Sequence, residues 1–213
     1  MTLDKNDLLL YVVTDRHWIG EGSLDKQVEQ AILGGATVIQ LREKNLDPAS
    51  ILTEALSIKN ICKYYQRPFI VNDYVDLALQ IDADGIHIGQ NDMEIEKVRT
   101  LISKNKILGV SVQTVNQAIY AEACGADYLG VGAMFHTDSK SDAESISFDT
   151  LKMICSSVTI PVVAIGGINK ENLMELTGSG ISGIAAISAV FAEDNIQKAT
   201  QHLKVITSQM ITS

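Results

Sequence analysis

Short apolar runs rich in β-branched residues alternate with longer segments of mixed polarity along the whole chain. Runs of this length, bounded by Gly, Asp or Asn, are typical of buried strands. The pattern predicts strands at residues 8–15, 37–44, 68–73, 85–90, 107–112, 128–134, 162–168 and 183–190.

The segments between these strands carry helix signals. Ser23 is a candidate N-cap, and Pro48 suits a first helical turn because its missing N–H needs no partner there. Four turns, each containing glycine, are predicted to stop a helix before the next strand; they lie at residues 34–36, 82–85, 124–127 and 178–181. The predicted helices are 23–33, 48–64, 73–81, 94–102, 114–124, 147–155, 170–176 and 195–206.

This alternation of strands and helices predicts a parallel sheet. Eight such units in 213 residues favour one compact (β/α)8 TIM barrel, although about 250 residues is more usual for that fold. An open doubly wound sheet is the alternative, and it would need fewer strands or a division into two domains. No linker is visible, so we predict one domain over residues 1–213, with residues 1–7 as a short N-terminal extension.

Composition narrows the class of protein. Hydrophobic residues make up 46% and charged residues 20%, which is typical of a globular chain and excludes a disordered or collagen-like one. Lys and Arg number 17 against 26 Asp and Glu, a net charge of −9, so nucleic acid is not an expected partner. The three cysteines are far apart and form no CxxC motif, which fits reduced core thiols better than disulfides or a zinc site.

The N-terminal segment favours a cytoplasmic location. Residues 1–7 contain acidic side chains and no basic region, and the apolar run that follows is too short for a signal peptide or a membrane span. No other run approaches the roughly 18 apolar residues of a membrane helix. We therefore expect no membrane partner; a homodimer is left open by the sequence.

The carboxyl ends of the strands are where a barrel carries its chemistry. In the second strand the period of two places Gln40, Arg42 and Lys44 on one face, which predicts an anion receptor at the mouth. Asp73 and Asp92 follow the third and fourth strands, where two carboxylates can hold Mg²⁺ beside a substrate phosphate. The alternatives are a solvated charge run for the first set and helix caps for the two acids.

The later strands add hydroxyl groups and glycines. Ser111 ends the fifth strand, where it can bond a ligand or cap the next helix. The longest loop, residues 135–143, holds Lys140, which is either a phosphate partner or simply exposed. Gly166 and Gly167 end the seventh strand, and with the end of the eighth strand they predict a backbone cradle for phosphate. Two anion sites in one mouth predict a transferase that joins two substrates.

These motifs resemble those of the thiamine phosphate synthase family over residues 11–192, nearly the whole chain. The motifs that carry the resemblance are Tyr11-Val12-Val13-Thr14-Asp15-Arg16, Gln40-Leu41-Arg42-Glu43-Lys44, Asn72-Asp73 before Val75-Asp76-Leu77-Ala78-Leu79, Gly85-Ile86-His87-Ile88-Gly89-Gln90 with Asp92, Leu108-Gly109-Val110-Ser111, Ala126-Asp127-Tyr128-Leu129-Gly130-Val131-Gly132, Lys140 with Asp142-Ala143, and Ile165-Gly166-Gly167-Ile168.

The resemblance implies a TIM barrel that joins 4-amino-2-methyl-5-(diphosphooxymethyl)pyrimidine to a thiazole phosphate, with or without a carboxylate, and releases diphosphate. It assigns Mg²⁺ to Asp73 and Asp92. It implies the following roles for the remaining positions: pyrimidine diphosphate binding by Gln40, Leu41, Arg42, Glu43, Lys44, Asn72 and Ser111; a place between the two substrates for Thr137, Asp138, Ser139 and Lys140; thiazole phosphate binding by Gly167, Ile187 and Ser188; and catalysis by Arg42, Lys44, Ser111 and Lys140.

The implied chemistry is dissociative, with diphosphate leaving before the thiazole nitrogen attacks. The first rival is a thiazole tautomerase of the same superfamily, which has no diphosphate–metal complex and no need of the second carboxylate. A non-catalytic, ligand-sensing barrel is another rival, because fold alone does not establish activity. A phosphosugar isomerase is disfavoured, since no Glu/His base pair is evident.

Overall fold

A closed barrel of eight parallel strands forms the centre of the computed structural model, which describes residues 4–20, 22–137 and 145–212. Each strand pairs with the next in the chain, and the first pairs with the last. The strands are β1 (Leu10–Val13), β2 (Val38–Leu41), β3 (Phe69–Asn72), β4 (Gly85–Ile88), β5 (Ile107–Val112), β6 (Tyr128–Val131), β7 (Val162–Ile165) and β8 (Gly183–Ala186).

Helices surround the barrel and follow the strands in alternation. The α-helices of the described residues are α1 (Leu24–Gly34), α2 (Pro48–Tyr64), α3 (Val75–Gln80), α4 (Ile95–Ile102), α5 (Val115–Ala123), α6 (Phe148–Ser157), α7 (Ser188–Phe191) and α8 (Ile196–Thr212). Short 3-10 helices cover Lys5–Leu8, Arg16–Trp18 and Leu173–Leu176. In this part of the chain no helix is both long enough and apolar enough to cross a membrane.

The apolar core has two layers because successive strand side chains point to opposite faces of the barrel. Ile39 and Leu41 belong to the larger, outer layer between strands and helices. The smaller layer fills the lumen, and Leu8 and Val38 are among its fully buried members. Polar residues of β2 therefore face the lumen, as the period of two predicts.

The predicted (β/α)8 architecture is confirmed, and most of its elements lie where the sequence puts them. Helix α2 begins at Pro48, with the Asp47 carboxylate accepting from the N–H groups of the first turn. Helix α3 has only 6 residues, as the narrow gap between β3 and β4 requires. Gly35 ends α1 with a left-handed φ of 106°, which a residue without Cβ adopts readily.

Several boundary predictions were wrong. All predicted strands except 107–112 ran too far. In five of them Gly or Asp near the end leaves the ladder and enters a loop of the mouth. In the other two, the charged residues 42–44 form the loop after β2, and residues 188–190 belong to α7. The predicted helix 170–176 is a 3-10 turn over Leu173–Leu176. Ser23 precedes α1 but makes no capping bond, since its hydroxyl donates to Asp25 instead. At residues 82–85 the left-handed position is held by Asp82, not by a glycine.

Candidate active site

A cavity of about 380 Å³ opens at the carboxyl ends of the strands. Residues from every strand of the barrel or from the segment just after it line this cavity, including Tyr11, Gln40, Asn72, His87, Ser111, Gly130, Ile165 and Ile187. This is the end of the barrel at which TIM-barrel enzymes carry their active sites. The cavity is therefore the candidate active site.

One side of the cavity is cationic. Gln40, Arg42 and Lys44 all line it, which confirms that they share the lumen face. The Lys44 ammonium forms an ion pair with the Asp73 carboxylate. Asn72, the last residue of β3, lines the cavity beside this pair. Arg42, Lys44 and Asn72 thus bring three hydrogen-bond donors for an anion to this side of the mouth.

Two carboxylates lie together beside these cations. Asp73 has a left-handed φ of 61°, and Asp92 accepts a bond of 2.6 Å from the N–H of Gly89. Neither caps a helix, because the N-cap positions of α3 and α4 belong to Tyr74 and Glu94. Burial raises the pKa of Asp92, and the neighbouring Asp73 carboxylate raises it further. Two neighbouring acids, one of them with a raised pKa, are suited to share a cation.

A chain of polar side chains crosses the buried floor of the cavity. The Gln40 amide donates to the Tyr11 hydroxyl at 2.8 Å, which lies 2.7 Å from the Tyr128 hydroxyl. Tyr128 is also 2.9 Å from Nδ1 of His87, and Nε2 of His87 is 2.8 Å from the Ser111 hydroxyl. Burial raises the pKa of both tyrosines, so both stay protonated.

The bonds of this chain can be oriented in more than one way. Either tyrosine hydroxyl can donate in the bond between them, and the tautomer of His87 sets the roles of its two bonds. If Tyr11 donates to Tyr128 and Tyr128 donates to Nδ1 of His87, the neutral imidazole carries its proton on Nε2 and donates it to Ser111. The hydroxyl hydrogen of Ser111 can then be donated to a ligand in the cavity.

Two glycines make room for this chain. A Cβ atom on Gly109 of β5 would lie 2.3 Å from the hydroxyl oxygen of Tyr128 and 2.5 Å from Nδ1 of His87. A Cβ atom on Gly130 of β6 would lie 3.1 Å from Cε1 of His87. The chain therefore depends on glycine at residue 109, where any other side chain would displace the Tyr128–His87 pair.

We expect Tyr128→Phe to lower the free energy of unfolding by about 1–3 kcal/mol, because it leaves the buried hydroxyl of Tyr11 and Nδ1 of His87 without their shared partner. Urea denaturation measures the loss. Tyr64→Phe is the matched control, since Tyr64 is 79% exposed and its change should cost almost nothing. A Tyr128→Phe variant as stable as the control would contradict the hydrogen-bonded chain.

Glycines shape the opposite side of the cavity. Gly166 and Gly167 have left-handed φ values of 99° and 66°, and a Cβ atom on Gly167 would lie 2.3 Å from the carbonyl oxygen of His136. The Asn172 amide holds the Gly167 carbonyl at 2.9 Å. Among the described residues, the backbone N–H of Gly167 and that of Ser188 have no hydrogen-bond acceptor, so both are available to an anion.

The predicted site residues divide into four groups. Gly167 and Ser188 do not line the cavity themselves, but each follows a residue that does, Gly166 and Ile187 respectively. The cavity wall contains Gln40, Arg42, Lys44, Asn72, Asp73, Asp92, Ser111, Thr137 and Ile187. The side chains of Leu41 and Glu43 lie outside it: Leu41 packs in the outer core, and Glu43 is buried beside Arg16. That these two residues bind the substrate stays a prediction, and in this arrangement the contact would have to come from their backbone. Asp138, Ser139 and Lys140 lie outside the described residues.

Sequence reasoning gave no site role to Tyr11, Tyr128 or His87, although each belongs to a quoted motif. Their partners are 117 and 41 residues apart in the chain, so no local spacing connects them. The available signal was a pair of large polar side chains on the lumen face of β1 and β6, together with a glycine in the middle of β5.

The chain is similar to proteins of one named activity over most of its length. Residues 10–190 match the family described as thiamine monophosphate synthase. Thiamine-phosphate synthase of Clostridium tetani is 50% identical over 197 residues, covering 92% of this chain and 94% of that one. The enzyme of the same name from Clostridium botulinum is 47% identical over 201 residues, covering 94% of each chain.

A solved structure extends the similarity to three dimensions. Thiamine phosphate pyrophosphorylase from Pyrococcus furiosus superposes with a TM-score of 0.89 at 42% sequence identity. The superposition covers 97% of this chain and 98% of that one. The barrel and its mouth are thus shared over the whole length of a protein with that name.

Proposed function

The chain belongs to the thiamine-phosphate synthase family, and from that premise we propose how the mouth of its barrel joins two phosphorylated substrates. It is a transferase of thiamine biosynthesis. The substrates we propose are 4-amino-2-methyl-5-(diphosphooxymethyl)pyrimidine and a thiazole phosphate. The observation that carries this proposal is the pairing, within one cavity, of a cationic and acidic side with a glycine-lined side.

The diphosphate group would bind on the cationic side. The Arg42 guanidinium presents a planar set of donors that suits phosphate oxygens, while Lys44 supplies a point charge. Asn72 adds an amide donor from the end of β3. These side chains would neutralise the charge that grows on the diphosphate as it leaves, which is the kind of stabilisation that lowers a barrier most.

Mg²⁺ is the metal that fits the two carboxylates. Within the described part of the chain, no cluster of three or more His, Cys, Asp or Glu residues could hold a metal ion. Two neighbouring carboxylates suffice for Mg²⁺, which takes one or two protein carboxylates and fills its shell with phosphate oxygens and water. Asp73 and Asp92 would hold it. When bound, it would neutralise charge on the diphosphate oxygens as a Lewis acid.

The chain needs no nucleophile of its own for this reaction. The bond between the methylene carbon and the diphosphate oxygen breaks, and the electron pair leaves with diphosphate. The aminopyrimidine stabilises the resulting cation, and the lone pair of the thiazole nitrogen then forms the new carbon–nitrogen bond. Ser111 lines the cavity and bonds to Nε2 of His87; its hydroxyl would donate to an acceptor on the pyrimidine ring and fix its orientation.

The thiazole phosphate would bind on the opposite side. The backbone N–H groups of Gly167 and Ser188 can donate to its oxygens, and Ile187 lines the cavity between β8 and α7. Thr137 lines the wall that would lie between the two substrates. By the resemblance, Asp138, Ser139 and Lys140 would complete this region.

A coupling assay tests the proposal. We expect the purified protein to form thiamine phosphate from the two substrates when Mg²⁺ is present, and to stop when EDTA removes the metal. Restoring Mg²⁺ in excess should restore the product, which controls for damage by the chelator. Product formed at an undiminished rate in EDTA would refute the proposed requirement for Mg²⁺. Absence of product under all conditions would refute the assignment of the substrates.

A further inference from the structure

The loop that follows β2 presents alternate side chains in opposite directions. Arg42 and Lys44 line the cavity, whereas Glu43, which lies between them, is only 3% exposed and lies away from the cavity. A buried carboxylate is costly unless each of its oxygens is paired. The partners of Glu43 therefore indicate what it does.

Both carboxylate oxygens of Glu43 are occupied by groups of the protein. Oε1 accepts from the backbone N–H groups of Lys44 and Asn45, each at 2.8 Å. Oε2 accepts from Nε of Arg16 at 2.7 Å, and the same guanidinium donates to Glu54 of α2 at 2.5 Å. Although burial opposes ionisation, the bonds from Asn45 and Arg16 keep the pKa of Glu43 below its usual value.

A second contact holds the other end of the same loop. The Thr14 hydroxyl oxygen, which is fully buried just after β1, accepts from the backbone N–H of Arg42 at 3.0 Å. The same hydroxyl donates to the Arg42 carbonyl, with 3.4 Å between the two oxygens, and the N–H of Thr14 donates to the carbonyl of Gln40 at 2.9 Å. Thr14 thus holds the backbone of Arg42, and Glu43 holds that of Lys44. Neither of these two side chains lines the cavity.

We propose that Thr14 and Glu43 are positioning residues that fix the backbone of Arg42 and Lys44, and so set the affinity of the cationic side for diphosphate. The inference rests on the proposed function, because it takes the cationic side as the diphosphate site. Arg16 forms ion pairs with both Glu43 and Glu54 of α2, and so attaches the loop after β2 to this outer helix.

The chemistry explains why a carboxylate is needed at residue 43. Glutamine has the same shape but only one acceptor oxygen. In one orientation the NH2 group of the glutamine amide would face the backbone N–H groups of Lys44 and Asn45, and in the other it would face Nε of Arg16. In both orientations two donors would face each other without an acceptor. One side of the loop would lose its acceptor, and the two cations would no longer be held together.

Binding of inorganic pyrophosphate in the presence of Mg²⁺, measured by calorimetry, tests the inference. We expect Glu43→Gln to weaken this binding about tenfold, as the loss of a buried, charge-assisted contact predicts. In the coupling reaction KM for the pyrimidine diphosphate should rise by a similar factor, while KM for the thiazole phosphate stays unchanged. A purely structural role would change both constants or neither.

Asp82→Asn is the matched control, because it removes an exposed ion pair with Lys106 and should leave pyrophosphate binding unchanged. Thr14 gives an independent pair of variants if Glu43→Gln fails to fold. Thr14→Ser keeps the hydroxyl and should bind pyrophosphate like the wild type, whereas Thr14→Val should bind it about tenfold more weakly.

The outcomes separate this inference from the proposed function. Wild-type protein that binds no pyrophosphate would refute the diphosphate site itself. Wild-type binding that Glu43→Gln or Thr14→Val leaves intact would overturn the positioning role alone. Equal losses in Thr14→Ser and Thr14→Val would also overturn it, because the hydroxyl would then be irrelevant.

Discussion

Replacing Asp73 by asparagine is expected to lower turnover about a thousandfold at a fixed, moderate concentration of Mg²⁺. The amide keeps the size of the side chain but removes one of the two neighbouring charges that would hold the metal. Asp92→Asn should behave in the same way, because no other carboxylate lines the cavity among the residues that the structure describes.

The metal dependence distinguishes this explanation from damage to the fold. In both variants the Mg²⁺ concentration that gives half-maximal turnover should rise, so that high Mg²⁺ recovers part of the lost activity. Asp76→Asn is a suitable control, because Asp76 is exposed on α3 and lies only three residues from Asp73. If the variants kept the wild-type Mg²⁺ dependence, the two acids would not be metal ligands.

The two changes should differ in their effect on the stability of the free protein, which urea denaturation measures. Without a metal, Asp73 is paired with Lys44, and its charge raises the pKa of Asp92. Asp73→Asn removes this repulsion and also leaves Lys44 without its carboxylate partner. Asp92→Asn removes the repulsion and keeps the ion pair, so it should be the more stable variant even though both lose activity.

The barrel could be predicted from the sequence because most of its elements are specified locally. Apolar runs and turns with Gly or Asp recur along the chain, some helices have a clear start such as Asp47-Pro48, and the parallel pairing follows from the order of the elements. The exceptions are Leu173–Leu176, which forms only a 3-10 turn, and Ser188–Phe191, which is helical where a strand was predicted. The cationic row could be predicted for the same reason, because the alternation that begins with Gln40 on β2 continues through Arg42 and Lys44 in the loop just after it.

Interactions between distant residues could not be predicted in this way. The sequence contained Glu43 between two cavity cations, but only the structure shows that Arg16 and the next two backbone N–H groups occupy its carboxylate. Tyr11, His87 and Tyr128 likewise depend on three strands that meet across the lumen. The alternation of residues along one strand predicts which side chains share a face of the sheet. Which residue of another strand becomes a hydrogen-bond partner depends on how the strands are aligned with each other, and a single sequence does not specify that alignment.

Lys140→Ala is expected to abolish measurable turnover, a loss of at least about a thousandfold, while the barrel stays folded. The expectation comes from the resemblance, which puts this ammonium between the two substrates. The flanking residues agree with it: Thr137 lines the cavity, and the N–H of Ile146, on the other side of the segment, donates to Ala133 of the cavity wall at 2.8 Å.

The loss should fall on kcat more than on the binding of either substrate. A cation that meets charge as it develops on the leaving diphosphate contributes to the transition state and little to the ground state. Lys140→Arg, which keeps the charge, should retain more turnover than Lys140→Ala, and Lys152→Ala on the exposed face of α6 should be indistinguishable from the wild type. Near-normal turnover in Lys140→Ala would contradict this role. The departing diphosphate would then need no cation from this loop, and Arg42, Lys44 and the metal would account for all of the charge stabilisation.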